Sequence, residues 1–367
     1  MRYLFLLFLF STPIFSNIEF ISVVTEDSYN ILDLNGEDIS GPYPYSSLRP
    51  AGQIATVPYG NIACLTAQTG PGQVADTLLF FDPLTFSVIG SSFVQDVTFY
   101  NGGITSDGKI ASASEFAGNS VVRNTNLREM SYTDIPALNF YGSKISNNGE
   151  FICGVNGDTQ AMIYNLNSGN SISIKKIDGI TPLNCYTFCI SSDSTKIYVS
   201  PSYTNPDGSY IYVIDSQTGI EIDRIDTSSF TSNNSSIYRM QPSPTDSKLA
   251  LVVRGNGQQI WILDLITNTF NEVPSLSTFC IGYGVIGKMA FSSDENFLYT
   301  YSLYNLHKID VNNFTSESIK GFNTRILSIG IGKPGPQPEP IKKGRQQLPL
   351  SGFNSQVKLN VSRSGLN

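Results

Sequence analysis

Apolar and polar residues alternate with a period of two along most of the chain, and the alternating runs are short, about five to eight residues, broken by Gly, Asn, Asp, Ser and Pro. This is the pattern of half-buried strands joined by tight turns. No stretch shows the 3.6-residue periodicity of an amphipathic helix. The run Tyr-Ile-Tyr-Val-Ile-Asp at 210–215, a turn through Thr218 and Gly219, and a second alternation to Ile225 form one such unit. The same pattern, an apolar strand ending in Asp or Asn before a turn, recurs at Asp33, Asp82, Asn124, Asn165, Asp215, Asp264 and Asp310.

A second turn precedes most copies. It reads Ile-Thr-Ser-Asp-Gly-Lys at 104–109, Ile-Ser-Asn-Asn-Gly-Glu at 145–150, Ile-Ser-Ser-Asp-Ser at 190–194, Pro-Ser-Pro-Thr-Asp at 242–246 and Phe-Ser-Ser-Asp-Glu at 291–295. Each unit is therefore strand, tight turn, strand, loop, strand, Asp turn, strand. Four short antiparallel strands repeated every 41 to 50 residues predict an all-β, seven-bladed β-propeller over residues 17–332. The first unit lacks an inner strand, and Thr324–Ile331 has the character of one. The C-terminal strand is thus expected to complete the N-terminal blade and close the ring, leaving no exposed sheet edge. The recurring Asp or Asn is expected to accept backbone N–H groups within its own turn.

The units resemble the blades of the YVTN and WD-repeat-like propeller superfamily, with Asp107 and Gly108 in one turn and Asp215 and Gly219 in the other as the nearest matches. The resemblance implies the fold and leaves the activity open. One His and one Trp in the whole chain separate it from true WD repeats, which carry a Gly-His and a Trp-Asp pair in each blade.

The ends and the charge narrow the setting. Arg2, the apolar run Leu4–Phe10 and Ser16 read as a signal peptide over residues 1–16, so a secreted, extracellular protein is expected, and no run is long enough to span a bilayer. Residues 333–367 are Pro-rich, then polar and basic, and are expected to lack packed structure. The whole chain carries −7; six cationic residues against one Glu in the tail, and Arg2 in the signal, leave the body at −13. That balance argues against nucleic acid or an anionic membrane as partner. Asn233, Asn234, Asn313 and Asn360 open N-glycosylation sequons in turns, loops or the tail.

Candidate chemistry is sparse. The five cysteines, Cys64, Cys153, Cys185, Cys189 and Cys280, read mainly as small buried side chains in strands, with one disulfide as the alternative, and Cys185 and Cys189 are expected on one face of a strand. His307, the only histidine, falls inside a strand and is a poor catalytic candidate. No cofactor motif, no calcium loop and no metal site is read, and NPDGS at 205–209 is taken as a plain turn.

Tyr100, Tyr141, Tyr186 and Tyr238 stand at equivalent points entering four successive inner strands, where a propeller places the mouth of its central channel. Arg239 follows directly, and Tyr43, Tyr45, Phe93, Phe99, Tyr203, Phe230, Tyr283, Arg49 and Lys288 are assigned to the same face. Two readings stand: the aromatics recognise a ligand, or they fill wedge space between blades. The expectation is a non-enzymatic binding or scaffold module for a protein or carbohydrate partner. The alternative is a propeller enzyme, a lactonase-type hydrolase or quinoprotein-like oxidoreductase, which needs acids or amides converging on the channel.

Overall fold

The computed structural model describes residues 19–44, 49–56, 63–68, 77–84, 88–93, 99–106, 110–115, 122–127, 129, 131–135, 142–155, 160–201, 208–231, 235–254, 258–274 and 288–332. The signal segment, the tail, Tyr141, Asn233, Asn234 and Asn360 lie outside them. The fold is an all-β propeller with four-stranded antiparallel blades, and strand pairing defines seven such sheets among the described residues.

Blade 1 contains β1 (Phe20–Thr25), β2 (Ser28–Leu32), β3 (Asp38–Pro44) and the last strand of the chain, β28 (Ile326–Gly332), in the order β28-β1-β2-β3. Blade 2 runs β4 (Arg49–Thr56), β5 (Ala63–Gln68), β6 (Thr77–Phe81), β7 (Val88–Phe93). Blade 3 runs β8 (Phe99–Ile104), β9 (Ile110–Glu115), β10 (Val122–Asn126), β11 (Ser131–Ile135), and blade 4 runs β12 (Gly142–Ile145), β13 (Phe151–Val155), β14 (Ala161–Asn165), β15 (Ser171–Ser173). Blade 5 is β16 (Thr187–Ile190), β17 (Lys196–Ser200), β18 (Tyr210–Asp215), β19 (Glu221–Asp226), and blade 6 is β20 (Ser236–Pro242), β21 (Lys248–Arg254), β22 (Gln258–Asp264), β23 (Thr269–Val273). Blade 7 is β24 (Ala290–Phe291), β25 (Phe297–Tyr301), β26 (Asn305–Asp310), β27 (Thr315–Gly321).

The sheets follow one another in a cycle. Apolar clusters join blades 1 and 2 (Tyr29, Ile31 with Leu65, Phe81), 3 and 4 (Val122 with Ile152), 4 and 5 (Ile163 with Tyr212), 5 and 6 (Val213 with Leu251), 6 and 7 (Val252 with Leu298), and 7 and 1 (Tyr299 with Ile21). Blades 2 and 3 meet where β4 and β5 contact β8. Burial falls from axis to rim: β1 is buried at every position, whereas β27 and β11 are largely exposed. A strand with a blade on either side has no solvent face, so the second strand of a blade can read as a continuous apolar run, as Leu249–Val253 does in β21.

Closure occurs as expected. β28 pairs antiparallel with β1, from Phe20 opposite Gly332 to Thr25 opposite Ile326. Ile326 and Ile329 are buried against Tyr299 and Tyr301 of blade 7. Each such fully buried side chain contributes about 1.5–3 kcal/mol.

The Asp turns behave as predicted in six of the seven copies. Backbone N–H groups donate to Oδ1 of Asp33, Asp82, Asn165, Asp215, Asp264 and Asp310. At Asp215 the Thr218 side chain and N–H, and at Asp264 and Asp310 chiefly the Thr267 and Asn313 N–H groups, hold the carboxyl below its ordinary range. Asn124 is the exception. It lies within β10, and Asn126, at the strand end, accepts the Glu129 N–H instead at 3.2 Å. The assignment slipped by two residues, one full side-chain period, which apolarity alone does not register.

A further device recurs in the turns between first and second strands. The buried hydroxyls of Ser146, Ser191, Ser243 and Ser292 each accept a backbone N–H from the start of the next strand. Three residues on, Gly149, Ser194, Asp246 and Glu295 take positive φ. These turns are bonded blade to blade. Asn147 Nδ2 donates to Ser192 O (2.9 Å), and Asp246 accepts the N–H groups of Ser192 (2.7 Å) and Asp193 (3.0 Å). Ser247 Oγ donates to Glu295 (2.6 Å), and Ser293 N–H donates to Glu19 (2.8 Å), which brings the belt round to blade 1.

Candidate functional site: the channel mouth

The opposite ends of the inner strands form the mouth that the sequence places the tyrosines around. Tyr186, directly before β16, is 44% exposed, and its ring centroid lies 6.1 Å from that of Tyr238 in β20. Tyr238 is half-buried and packs on the core between blades 6 and 7. The guanidinium carbons of Arg239 and Arg254 lie 5.6 and 5.8 Å from its ring centroid. Tyr238 thus serves as packing and Tyr186 presents open aromatic surface, so each of the two readings fits one residue. Tyr100 lies in β8, where only the backbone is described.

Two further residues assigned to this face pack against neighbouring aromatics. Phe230 packs at 4.8 Å on Trp261 and 4.6 Å on Phe270. Tyr43 lies on the rim strand β3, 6.4 Å from Tyr29, with its hydroxyl on Ser40 at 2.7 Å.

Cations stand on or directly before the inner strands of blades 4, 6 and 7. Lys144 is the third residue of the inner strand β12; its neighbours Ser143 and Ile145 are buried while its own side chain is open to solvent, with Nζ 5.8 Å from the Phe188 ring of β16. Arg239 is on β20, and Lys288 precedes β24 by two residues. Burial first, then the cation of Lys144 and, more weakly, that of Arg239 pull the Lys288 ammonium down to about 8, against some opposition from Cys64. Lys144 is lowered too, by burial and by Arg239, with the nearby thiols opposing. Blades 4, 6 and 7 bring side chains together only near the axis. Among the described residues Lys144 and Arg239 form no ion pair, and the Arg239 Nε–H is buried without a hydrogen-bond acceptor.

Lys144 was missed in the sequence. Its signal was available: it is the one charged residue in a short inner strand, two positions before the turn serine.

The remaining candidates are buried. His307 is buried in β26, with Nε2 2.9 Å from Ser302 Oγ, and burial lowers its pKa, which keeps the ring neutral at neutral pH. The four described cysteines are free and buried. Cys185 precedes β16 and packs between blades 4 and 5, while Cys189, within β16, packs between blades 5 and 6; they do not share a strand face. The chain leaves the strand geometry at Tyr186, which breaks the two-residue period assumed for them. Burial pushes the thiol of Cys64 up to about 12. Among the described residues no group of three or more His, Cys, Asp or Glu is disposed to hold a metal, and no helix is long and apolar enough to cross a membrane.

Comparison with known proteins bears on the fold alone. No protein-family profile and no curated protein matches the chain. Among solved structures, a functionally unknown protein from Desulfotomaculum acetoxidans superposes with a TM-score of 0.57 at 14% identity, over 86% of this chain and 99% of that one. The hydrazine synthase of Kuenenia stuttgartiensis superposes with a TM-score of 0.55 at 15% identity, over 72% of this chain and 77% of that one. Similarity at this level is similarity of propeller architecture.

Proposed function

We propose that the chain is a secreted, non-enzymatic, seven-bladed propeller of YVTN-like type that binds a protein or carbohydrate partner at its channel mouth. The observation that carries this is the Tyr186–Tyr238 pair, 6.1 Å apart, with one ring open and two guanidinium groups beside the other. Tyrosine offers a rigid apolar face with a polar tip at low entropic cost, and arginine beside it adds directional donors. The rigid ring beneath supports such a surface without rearrangement.

The same reading assigns residues 1–16 to a cleaved signal, 17–332 to the propeller and 333–367 to an unpacked tail. It makes Asn313 a glycan acceptor, since that residue is exposed at the turn between β26 and β27. Capture from culture medium by the mature protein is the test. A Tyr186→Ala, Tyr238→Ala variant should recover the partner roughly tenfold less or worse, given that interface aromatics commonly contribute more than about 1 kcal/mol each. A Tyr132→Ala control on the rim should recover it fully. Equal recovery by all three proteins refutes the assignment.

A further inference from the structure

The body of the molecule carries −13, yet Lys144, Arg239 and Lys288 stand on or directly before the inner strands of three different blades, two to four residues ahead of the turn serines Ser146, Ser243 and Ser292, and Lys288 feels the charges of the other two. Like charges drawn together away from bulk water cost stability unless something offsets them. Blade 5 lies between Lys144 on β12 and Arg239 on β20, and both are inner strands, which in a propeller line the central channel. Lys144 Nζ lies 5.8 Å from the Phe188 ring of blade 5, and Arg239 has a buried Nε–H without an acceptor among the described residues. A buried donor left unmatched costs about 1–3 kcal/mol, and a chain with an acidic surface has ample carboxylate to supply if neutralisation were structural. None of the described carboxylates forms an ion pair with Lys144 or Arg239.

We propose that the channel beneath Tyr186 and Tyr238 is an oxyanion site, in which Lys144, Arg239 and Lys288 together receive a phosphate, sulfate or carboxylate group. Arg239 supplies the planar fork that suits such oxygens, and the two lysines supply compact point charges on either side. The aromatic pair lies at the entrance, so the acidic group is that of the partner recognised at the mouth. In this respect the inference rests on the proposed binding function. Exclusion of anionic polymers by the acidic exterior is consistent with it: a single acidic group entering a narrow channel meets the local cations, whereas a long polyanion lying on the surface meets the net charge.

Thermal unfolding of the mature protein, titrated with sodium phosphate, sodium sulfate or sodium succinate against sodium chloride at matched ionic strength, tests this without a known partner. At an anion concentration roughly twenty times the dissociation constant, a saturable rise in Tm of about 2–4 °C over chloride is expected. Whether succinate or the tetrahedral ions give the larger rise separates a carboxylate from a phosphate or sulfate ester as the natural group. Lys144→Gln and Arg239→Gln should each remove most of the anion-dependent increment, whatever they do to the starting Tm. Lys196→Met, an exposed lysine on β17, should retain it. Tyr186→Ala should also retain it, because a free ion needs no mouth; loss of partner capture with the increment intact then separates failure of one idea from failure of the other. No increment over chloride with any of the three anions, or equal increments in the wild type and both glutamine variants, overturns the proposal.

Discussion

Asp246 offers a quantitative test of how neighbouring blades are held in register. Its carboxylate, in the first turn of blade 6, accepts the N–H groups of Ser192 at 2.7 Å and Asp193 at 3.0 Å in blade 5. Its backbone has φ of 57°, which most side chains disfavour and Asn or Asp tolerates. Asp246→Ala removes both bonds and leaves a residue poorly suited to that backbone. A hydrogen bond to a charged group contributes about 1.5–3 kcal/mol when buried. Both bonds here are partly solvated, so together they are worth about 2–3 kcal/mol, and the positive φ adds about 1 kcal/mol for alanine. The expected loss is therefore ~3–4 kcal/mol. Asp246→Asn keeps the backbone tolerance and one acceptor oxygen, and should lose only ~1–1.5 kcal/mol. Equilibrium unfolding in urea near neutral pH, followed by near-ultraviolet circular dichroism, measures both. Because blade-to-blade contact is being weakened, the alanine variant should also show a changed m-value, reporting loss of all-or-none unfolding. A loss below about 0.5 kcal/mol for alanine, in the range of an ordinary surface substitution, refutes the inter-blade role.

Gly219 has φ of +69°, and a Cβ there would stand 2.8 Å from Ile172 Cγ2 of the adjacent blade; Gly219→Ala should cost ~2–3 kcal/mol in the same urea assay, combining backbone strain with displacement of that side chain. Lys288 faces Lys144, Arg239, Cys64 and Tyr301; the last two are pushed up to about 12 and stay neutral through the range in question. Between about 8 and its ordinary 10.5 the unfolded chain carries a proton that folded Lys288 does not, so stability should rise with pH across that window. The full shift is worth up to about 3 kcal/mol, reduced to ~1–3 kcal/mol by channel water, and Lys288→Met should flatten the rise measured by unfolding at stepped pH. A chain ending at Arg325 lacks β28, exposes the β1 edge and should fail to give a cooperative transition, while a fresh supply of residues 326–332 as a peptide should restore part of it. Asn313→Gln should abolish any glycosidase-sensitive mass shift assigned to that turn in the secreted protein.

The architecture was legible because its determinants are local. Turn residues such as Asp215 with Gly219 recur with alternating apolar runs between them, and each repeat restates the same unit, so errors in one copy do not spread. The slip at Asn124 shows the limit: Arg-Asn-Thr-Asn at 123–126 offers two amides one side-chain period apart, and only the sheet register decides between them. The buried turn serines and the carboxylates of Asp246 and Glu295 were visible as turn residues, but their bonds run to another blade, about 50 residues away, which no local pattern encodes.

The site was legible in part. Tyr186 and Tyr238 were picked out as equivalent positions of a repeat, and Arg239 and Lys288 as cations assigned to the same face. Lys144 escaped because its blade carries no matching cation to make it stand out. What turns these side chains into a cluster is the convergence of non-adjacent blades, a property of the closed ring.

Crystals of the mature protein soaked in sodium selenate, with data collected at the selenium absorption edge, test the central claim directly, since one map reports both the ring and its ligand. A selenium peak is expected on the channel axis, within hydrogen-bond reach of Lys144, Arg239 and Lys288, inside a ring zipped by β28 on β1. Selenate found only on the outer surface, with the channel free of it, would contradict the account.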